Sequence, residues 1–317
     1  VLAIGKNLHV AYMPYKGFNH EDGIVASRSA TKSLRSHHAY KFDYTITKIT
    51  KTNKALLSKQ TSKFTPSQLA KLDERGFPKK GTKLEYGDPV FAVLEERQAT
   101  ETDKVLGRLY KTLTNPYKVV SEVWDHEEPG EVVDVYTDSE NVRILVRCER
   151  DLEVGDKITG LHGNKGVISH IMDDHEMPHS RDTGKPVDLV LNPASVTSRI
   201  NLGQVLETAA AKIAKKTGEP YKTVVYENQN NIDKVMDELK KHNLSDTEEI
   251  YDPVSGKTIG DKVLAGPQYI IKLNKTTDAN YSARSVGGYD NNAQPTKGGD
   301  DGAKAVSYME FLGLLGS

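Results

Sequence analysis

Four short stretches of the chain hold residues whose types and spacing could do chemistry. The first is Gly155-Asp156-Lys157-Ile158-Thr159-Gly160-Leu161-His162-Gly163-Asn164-Lys165-Gly166. Its glycines let backbone come close to a ligand. Its two lysines are mobile point charges suited to a phosphate-rich partner. The GxxxxGK[ST] order of a Walker loop is absent. The same residues also read as a glycine-rich turn with solvated lysines, and residue types alone do not separate the two. The second stretch carries Arg199, just ahead of a helix with a mostly apolar face. A helix start favours anions, and an arginine there can add a bidentate clamp on phosphate. A local cap or ion pair is the plainer role. The third is Glu21-Asp22, adjacent carboxylates after a turn, which can hold Mg²⁺ through waters. Acidic turns are common, so alone they say little. The fourth is His170, His175 and His179 among Asp173, Asp174 and Glu176. It has neither the HExxH order nor thiols, which disfavours zinc. Cys148 follows Leu145-Val146 in an apolar run and reads as a buried, inert thiol.

The elements that must position these residues follow from the hydrophobic pattern. Leu8 to Met13 forms a short apolar strand, closed by a turn at Pro14 and Gly17. Tyr40, Phe42, Tyr44 and Ile46 alternate with polar residues, the period of a half-buried strand. Thr65-Pro66-Ser67-Gln68 is a helix start of the capping-box kind, ended by Gly76. Residues 81–95 read as a strand pair broken at Gly87-Asp88, and 96–120 have no clean period. Val132–Tyr136 and Val142–Cys148 read as two strands. Short strands follow at 166–171 and 187–191. Helices follow at 202–216, with lysines at its C-terminal end, and at 230–242. Residues 245–262 look turn-rich, 268–273 alternate as a strand, and 285–303, rich in glycine, read as a long functional loop or a poorly ordered one. A final helix, 303–315, repeats Val306, Met309, Leu312 and Leu315. No internal repeat is visible.

Composition bounds the class. The chain has 317 residues, room for about two domains. Apolar residues are 37% and charged residues 27%, a wet composition that suits a piece of a larger assembly. Forty-three basic residues nearly cancel forty-four acidic ones, so any polyanion site is local. A single cysteine excludes an intrachain disulfide and favours the cytosol. No apolar run is long enough for a membrane span, and no signal peptide is visible. The opening on Val1 points to a processed, truncated or partly ordered product.

Taken together, the motifs resemble the catalytic C-terminal half of the β subunit of multisubunit DNA-directed RNA polymerase. Gly5 to Asp22 resembles the family's GxNxxVAxMPWxGYNxED segment. Asp156-Lys157 through Lys165-Gly166-Val167-Ile168-Ser169 resembles GDKxxxRHGxKGVxS. Val187 to Pro193 and Ser198 to Thr208 resemble PVDIVLNPxGVPSRMNIGQxLET. Ile270 to Tyr289 resembles MLKLNHLVDDKxHARSTGxY, and Gln294-Pro295 continues it.

The resemblance implies an α+β fold, with a double-psi β-barrel core, an inserted small β-rich flap and C-terminal helices. The implied division is 1–80 and 151–230 for the barrel-centred core, 81–150 for a reduced flap and 231–317 for a helical and loop region contacting partners. It implies nucleotidyl transfer, in which an RNA 3′-hydroxyl attacks the α-phosphorus of an NTP. Lys157, Lys165 and Arg199 are then the catalytic cations. Glu21, Asp22, Arg199, Ser282 and Arg284 line the NTP, and Gly163, Asn164 and Gly166 shape the phosphate loop. Mg²⁺ would be held mainly by a β′-type partner that carries the aspartate triad, with Glu21 and Asp22 near a second ion. Further implied partners are a β N-terminal chain, template DNA, nascent RNA and an initiation factor, in the cytoplasm.

Departures from the family pattern are specific. Ser282 replaces a histidine, Leu161 an arginine and Tyr15 a tryptophan, and the flap is short. That combination resembles a divergent bacteriophage enzyme with split subunits, acting in the host cytoplasm or carried in a virion. A truncated longer chain is the rival. Ser282 and Leu161 also suit a noncatalytic assembly or nucleic-acid-binding module that keeps the fold.

Overall fold

The computed structural model describes residues 4–60, 62–96, 117–138, 140–223, 230–280, 283–284, 286–298 and 302–316. These divide into two compact units, residues 1–34 with 153–317, and Arg35–Leu152.

The first unit is built on a closed barrel. Its strands are β1 (Lys6–Tyr12), β2 (Gly23–Ser27), β10 (Lys157–Thr159), β11 (Lys165–Met172), β13 (Leu189–Leu191) and β15 (Thr258–Lys272). The pairing order is β1-β13-β2-β11-β10-β15, and β15 returns to β1 to close six strands. The β1–β13 and β2–β11 pairs are parallel and the rest are antiparallel. Register sets the faces. Val10 lies opposite Leu189, Ile24 opposite Ile168 and Ile158 opposite Gly166, so these share one face. Ala11, Val25, Val190 and Ala265 fall on the other, packed with Met13, Met177 and Ile250. Both faces are buried, which explains why these strands read as apolar runs rather than alternations.

One stretch of this unit differs from the sequence expectation. The stretch read as turn-rich, 245–262, holds β14 (Thr247–Tyr251) and the first part of β15, which pair antiparallel. β15 is long because it serves two neighbours, extending past the barrel to β14, which in turn pairs with β12 (His179–Ser180). Polar residues mark this extension because much of it is exposed. The helix Leu202–Thr217 appears as expected and ends on Gly218 at φ +79°. The helix Asn231–Lys241 packs on it through Ile213, Val235 and Leu239.

The second unit has two sheets. One has the order β3 (Ser36–Thr45), β9 (Asn141–Arg150), β8 (Gly130–Thr137), β5 (Lys83–Leu84). The other has the order β4 (Thr50–Lys51), β6 (Pro89–Glu96), β7 (Tyr117–Val123). The period-two segment around residue 40 is β3, and its burial alternates residue by residue. Its partner is β9 over its whole length, which places 35–80 in this unit with 81–152 instead of with the barrel. The Gly87-Asp88 turn separates β5 from β6, but the two join different sheets. Thr65 and Gln68 form the capping box that starts the helix Pro66–Ala70. Trp124 is fully buried against Tyr40, Phe42 and His126, and Cys148 is buried in the same core.

At the C-terminal end, the helix Tyr308–Gly316 leaves Phe311, Leu314 and Leu315 exposed. No helix among the described residues is long and apolar enough to cross a membrane.

Candidate functional site

The glycine-rich stretch folds into the β10–β11 hairpin. Lys157 lies opposite Val167 and Thr159 opposite Lys165, so both lysines leave the same face of the hairpin. Ile158 and Gly166 point to the opposite face. Gly166 is required by close approach: a Cβ there would sit 2.5 Å from Ile24 Cδ1 and 2.6 Å from the Asp22 carbonyl oxygen. That approach brings the acidic turn to the hairpin, and Val167 N–H donates to the Asp22 carbonyl at 2.9 Å. Glu21 adopts φ +54°, which bends the turn just ahead of β2.

The loop between the two strands is short. Gly160 N–H donates to Asn164 C=O at 2.9 Å, and Gly163 sits near the tip with φ +82°. The tip docks on the following helix. His162 Nε2 lies 3.0 Å from Glu207 Oε2, and the His162 ring packs over Gly203. Glu207 Oε1 in turn accepts Tyr269 N–H of β15 at 2.9 Å. Residue types alone did not single out the His162–Glu207 contact. Its trace in the sequence is an acid one turn past Gly203, on the helix that follows the arginine.

Arg199 ends the short helix Ala194–Arg199, where Ile200 turns left-handed at φ +54°. This turn sends the guanidinium to the acidic pair. Nη1 and Nη2 donate to the two carboxylate oxygens of Asp22 at 2.5 and 3.0 Å, a fork-to-fork pair. The Asp22 hydrogen bond and charge raise the pKa of Arg199 further. Both side chains are a little over one-third exposed, so the pair contributes little to stability and is open to exchange.

One cleft at the barrel mouth brings most of the sequence-predicted residues together. Glu21, Asp22, Lys165, Arg199, Asn164 and Gly166 line it, over a floor of Ile24, Ile158, Leu191 and Ile270. Lys165 is exposed, with no ion-pair partner among the described residues. Gln204 also lines this cleft. It is 1% exposed, and neither its amide nitrogen nor its amide oxygen has a partner among the described residues. Lys157 is not in this cleft; it lines a second one with Lys275, Thr276, Thr277 and Asn280. Arg284 lies elsewhere on the chain, stacked 5.4 Å from the Tyr289 ring centroid. Ser282 lies outside the described residues.

The histidine tract disperses. His170 stacks on Phe18 at 4.3 Å, while His179 lies 2.8 Å from the Met177 carbonyl through Nδ1. Asp173 pairs with Arg28 and Asp174 accepts Ser29 N–H. Among the described residues no group of three or more metal-ligating side chains converges.

The chain is similar to known proteins over almost its whole length. Residues 1–300 match the family described as RNA polymerase Rpb2, domain 6. DNA-directed RNA polymerase subunit beta of Mycoplasmopsis synoviae is 31% identical over 99% of this chain and 28% of its own length. The subunit beta of Caldicellulosiruptor bescii is 33% identical over 99% of this chain and 27% of its own. That of Borrelia duttonii is 31% identical over 99% and 29%. The chain therefore spans less than a third of these relatives. All three relatives are bacterial and lend no support to a phage origin.

Proposed function

Since the chain belongs to the RNA polymerase β family, we propose that it is a β-type part of a multisubunit DNA-directed RNA polymerase and lends phosphate-binding cations to NTP addition. The observation that carries this reading is the barrel-mouth cleft, where Lys165, with no ion-pair partner among the described residues, stands beside the exposed Asp22–Arg199 fork. In this reading the barrel is of the double-psi kind, and the unit Arg35–Leu152 is a reduced flap. A β′-type subunit, template DNA and nascent RNA complete the assembly.

Phosphoryl transfer needs positioning and neutralisation more than covalent help from the protein. Lys165 supplies a mobile ammonium for phosphate oxygens. Arg199 supplies a planar fork that recognises either a carboxylate or a phosphate in the same geometry. The unliganded arginine is therefore held by Asp22 in the shape it needs, and a triphosphate competes with Asp22 for it. Gly166 keeps the acidic turn against the hairpin for this exchange, because any side chain there would push the turn away. The β10–β11 hairpin, tied down through His162 and Glu207, holds Lys165 in place.

The carboxylates here do not fit a complete magnesium site. Asp22 spends both oxygens on Arg199, and Glu21 is the one other carboxylate lining the cleft. Magnesium chemistry is accordingly assigned to the partner, and this chain alone is expected to be inactive.

The test is primed RNA synthesis by the natively purified complex. Arg199→Ala should raise the NTP concentration needed for half-maximal rate by about tenfold or more, since a charged hydrogen bond contributes about 1.5–3 kcal/mol. An unchanged requirement would make the arginine purely structural. The engagement of Arg199 by Asp22 also suits a noncatalytic binding module. That reading takes over if the complex contains no β′-type chain and makes no RNA.

A further inference from the structure

We propose that Gln204 and Asn164 form a hydroxyl pocket in the barrel-mouth cleft, which takes one ribose hydroxyl of the incoming nucleotide or of the RNA end. The inference rests on the reading of this cleft as a nucleotide site, and adds to its cations a part that reads the sugar.

Gln204 stands in the first turn of the helix Leu202–Thr217. Its backbone is engaged within the fold. The N–H donates to the Asn201 carbonyl at 3.3 Å, and the carbonyl accepts the Thr208 hydroxyl at 2.9 Å. The side-chain amide is different. The residue is 1% exposed, and neither the amide nitrogen nor the amide oxygen has a partner among the described residues.

The hairpin loop is seated on the same turn of helix. A Cβ at Gly163 would lie 3.9 Å from Asn201 Oδ1, and one at Gly203 would lie 2.5 Å from His162 Nδ1. That seating brings Asn164 into one cleft with Gln204. Asn164 Oδ1 is also buried without a partner among the described residues. Gly160 is part of the construction, because a side chain there would strike the Asn164 amide.

A buried polar group without a partner is costly, so two such amides in one cleft point to a group that pairs with both. Gln204 calls for a donor and an acceptor together. Turning its amide over exchanges the two ends and leaves that need unchanged. An ionised phosphate offers acceptors only and leaves the amide oxygen unpaired. An ammonium offers donors only and leaves the amide nitrogen unpaired. A hydroxyl offers one donor and two lone pairs, so it can accept from one amide while donating to the other. A base edge also sets a donor beside an acceptor. A template-directed site must take four different bases, however, and the sugar is what they share. The floor agrees with this choice, since Ile24, Ile158, Leu191 and Ile270 present carbon to the carbon face of a sugar ring.

The experiment uses the natively purified complex with Gln204→Met, Asn164→Ala or Lys165→Ala in this chain. It measures kcat/KM for addition of one nucleotide. The substrates are the four NTPs, their 2′-deoxy and 3′-deoxy analogues, and RNA primers with or without a 2′-hydroxyl on the last residue. Gln204→Met keeps the side chain's length and removes both polar ends. It should lower kcat/KM for full ribose substrates by about five- to twentyfold, alike for all four bases. For the one analogue that lacks the contacted hydroxyl, the change should be less than about twofold, because that contact is already gone. Which analogue becomes insensitive tells whether the hydroxyl belongs to the nucleotide or to the RNA end. Asn164→Ala should give the same pattern at smaller size, and it decides the matter if Gln204→Met fails to assemble. Equal losses on every substrate would make the two residues purely structural, and losses confined to one base would make Gln204 a base reader. Either result, or no loss at all, overturns the pocket. If Lys165→Ala still lowers nucleotide addition in that case, only the pocket fails. If Lys165→Ala is silent too, the reading of the cleft falls with it.

Discussion

Two carboxylate–cation groups of the barrel unit use similar chemistry at opposite extremes of burial. At the mouth, Asp22 and Arg199 pair while a little over one-third exposed. Behind β1, Glu248 is 5% exposed and sits among three partners. His9 Nε2 lies 3.0 Å away, Lys212 Nζ 2.9 Å, and the Ser180 hydroxyl donates at 2.5 Å. These residues come from β1, β12, β14 and the helix Leu202–Thr217, so the knot ties four elements together. His9 is also held from behind, its backbone N–H donating to Asp188 at 2.8 Å. Burial pushes the Asp188 carboxyl above the usual range. The contrast teaches that a charge pair becomes structural when water is excluded from it and exchangeable when it is not.

The sharpest way to break the contrast is to remove a partner from the knot. Lys212→Met should destabilise the folded chain by about 3–5 kcal/mol, because Glu248 is left charged and buried. Urea unfolding measures this, and a loss under 1 kcal/mol would make the knot no different from the mouth. The acid limb gives a second measure. Burial alone would raise the pKa of Glu248, but the His9, Ser180 and Lys212 contacts outweigh it and hold the carboxyl down at about 2. A depressed acid stabilises the fold above its unfolded pKa and loses that effect as pH falls through the folded value. The knot's contribution, about 3 kcal/mol at neutral pH, should therefore fade between about pH 4.5 and pH 2. Glu248→Gln should flatten stability over that window. An unchanged acid limb in that variant would place the acid sensitivity elsewhere.

The mouth was far more legible in sequence than the knot. Glycine spacing, paired lysines and an arginine before an apolar helix are local patterns, and the fold brings Glu21, Asp22, Lys165 and Arg199 to one cleft. The knot had no local trace. His9, Ser180, Lys212 and Glu248 are separated by up to 239 positions in the chain, and each looks like an ordinary surface residue in its own segment. The same reason explains the division at residue 35. The alternation of Tyr40, Phe42 and Tyr44 reveals a strand but not its partner, and β9 lies about a hundred residues on. Separation of Lys157 from Lys165 was likewise invisible, since spacing gives a hairpin and only register gives its clefts.

Back at the mouth, the next effect in size is catalytic. Lys165→Ala in the assembled complex should lower the efficiency of nucleotide addition by about ten- to a hundredfold, the range of one lost cation–phosphate contact. Its urea midpoint should hardly move, because the ammonium has no partner among the described residues to leave behind. A variant that unfolds more easily but adds nucleotides at the normal rate would invert the roles of the two regions.

The smallest expected effect tests whether the mouth is exchangeable at all. Asp22→Asn keeps the shape and the backbone bond to Val167 while removing the charge facing Arg199. An exposed pair contributes about 0–1 kcal/mol, so stability should change by less than about 1 kcal/mol in urea. The arginine freed in this way has the exposure it had before, and salt screens what remains. If the variant instead loses more than about 2 kcal/mol, Asp22 and Arg199 are a lock comparable to the knot. A triphosphate could then take Arg199 only by unfastening the barrel mouth, and the cleft would have to be read as a structural joint.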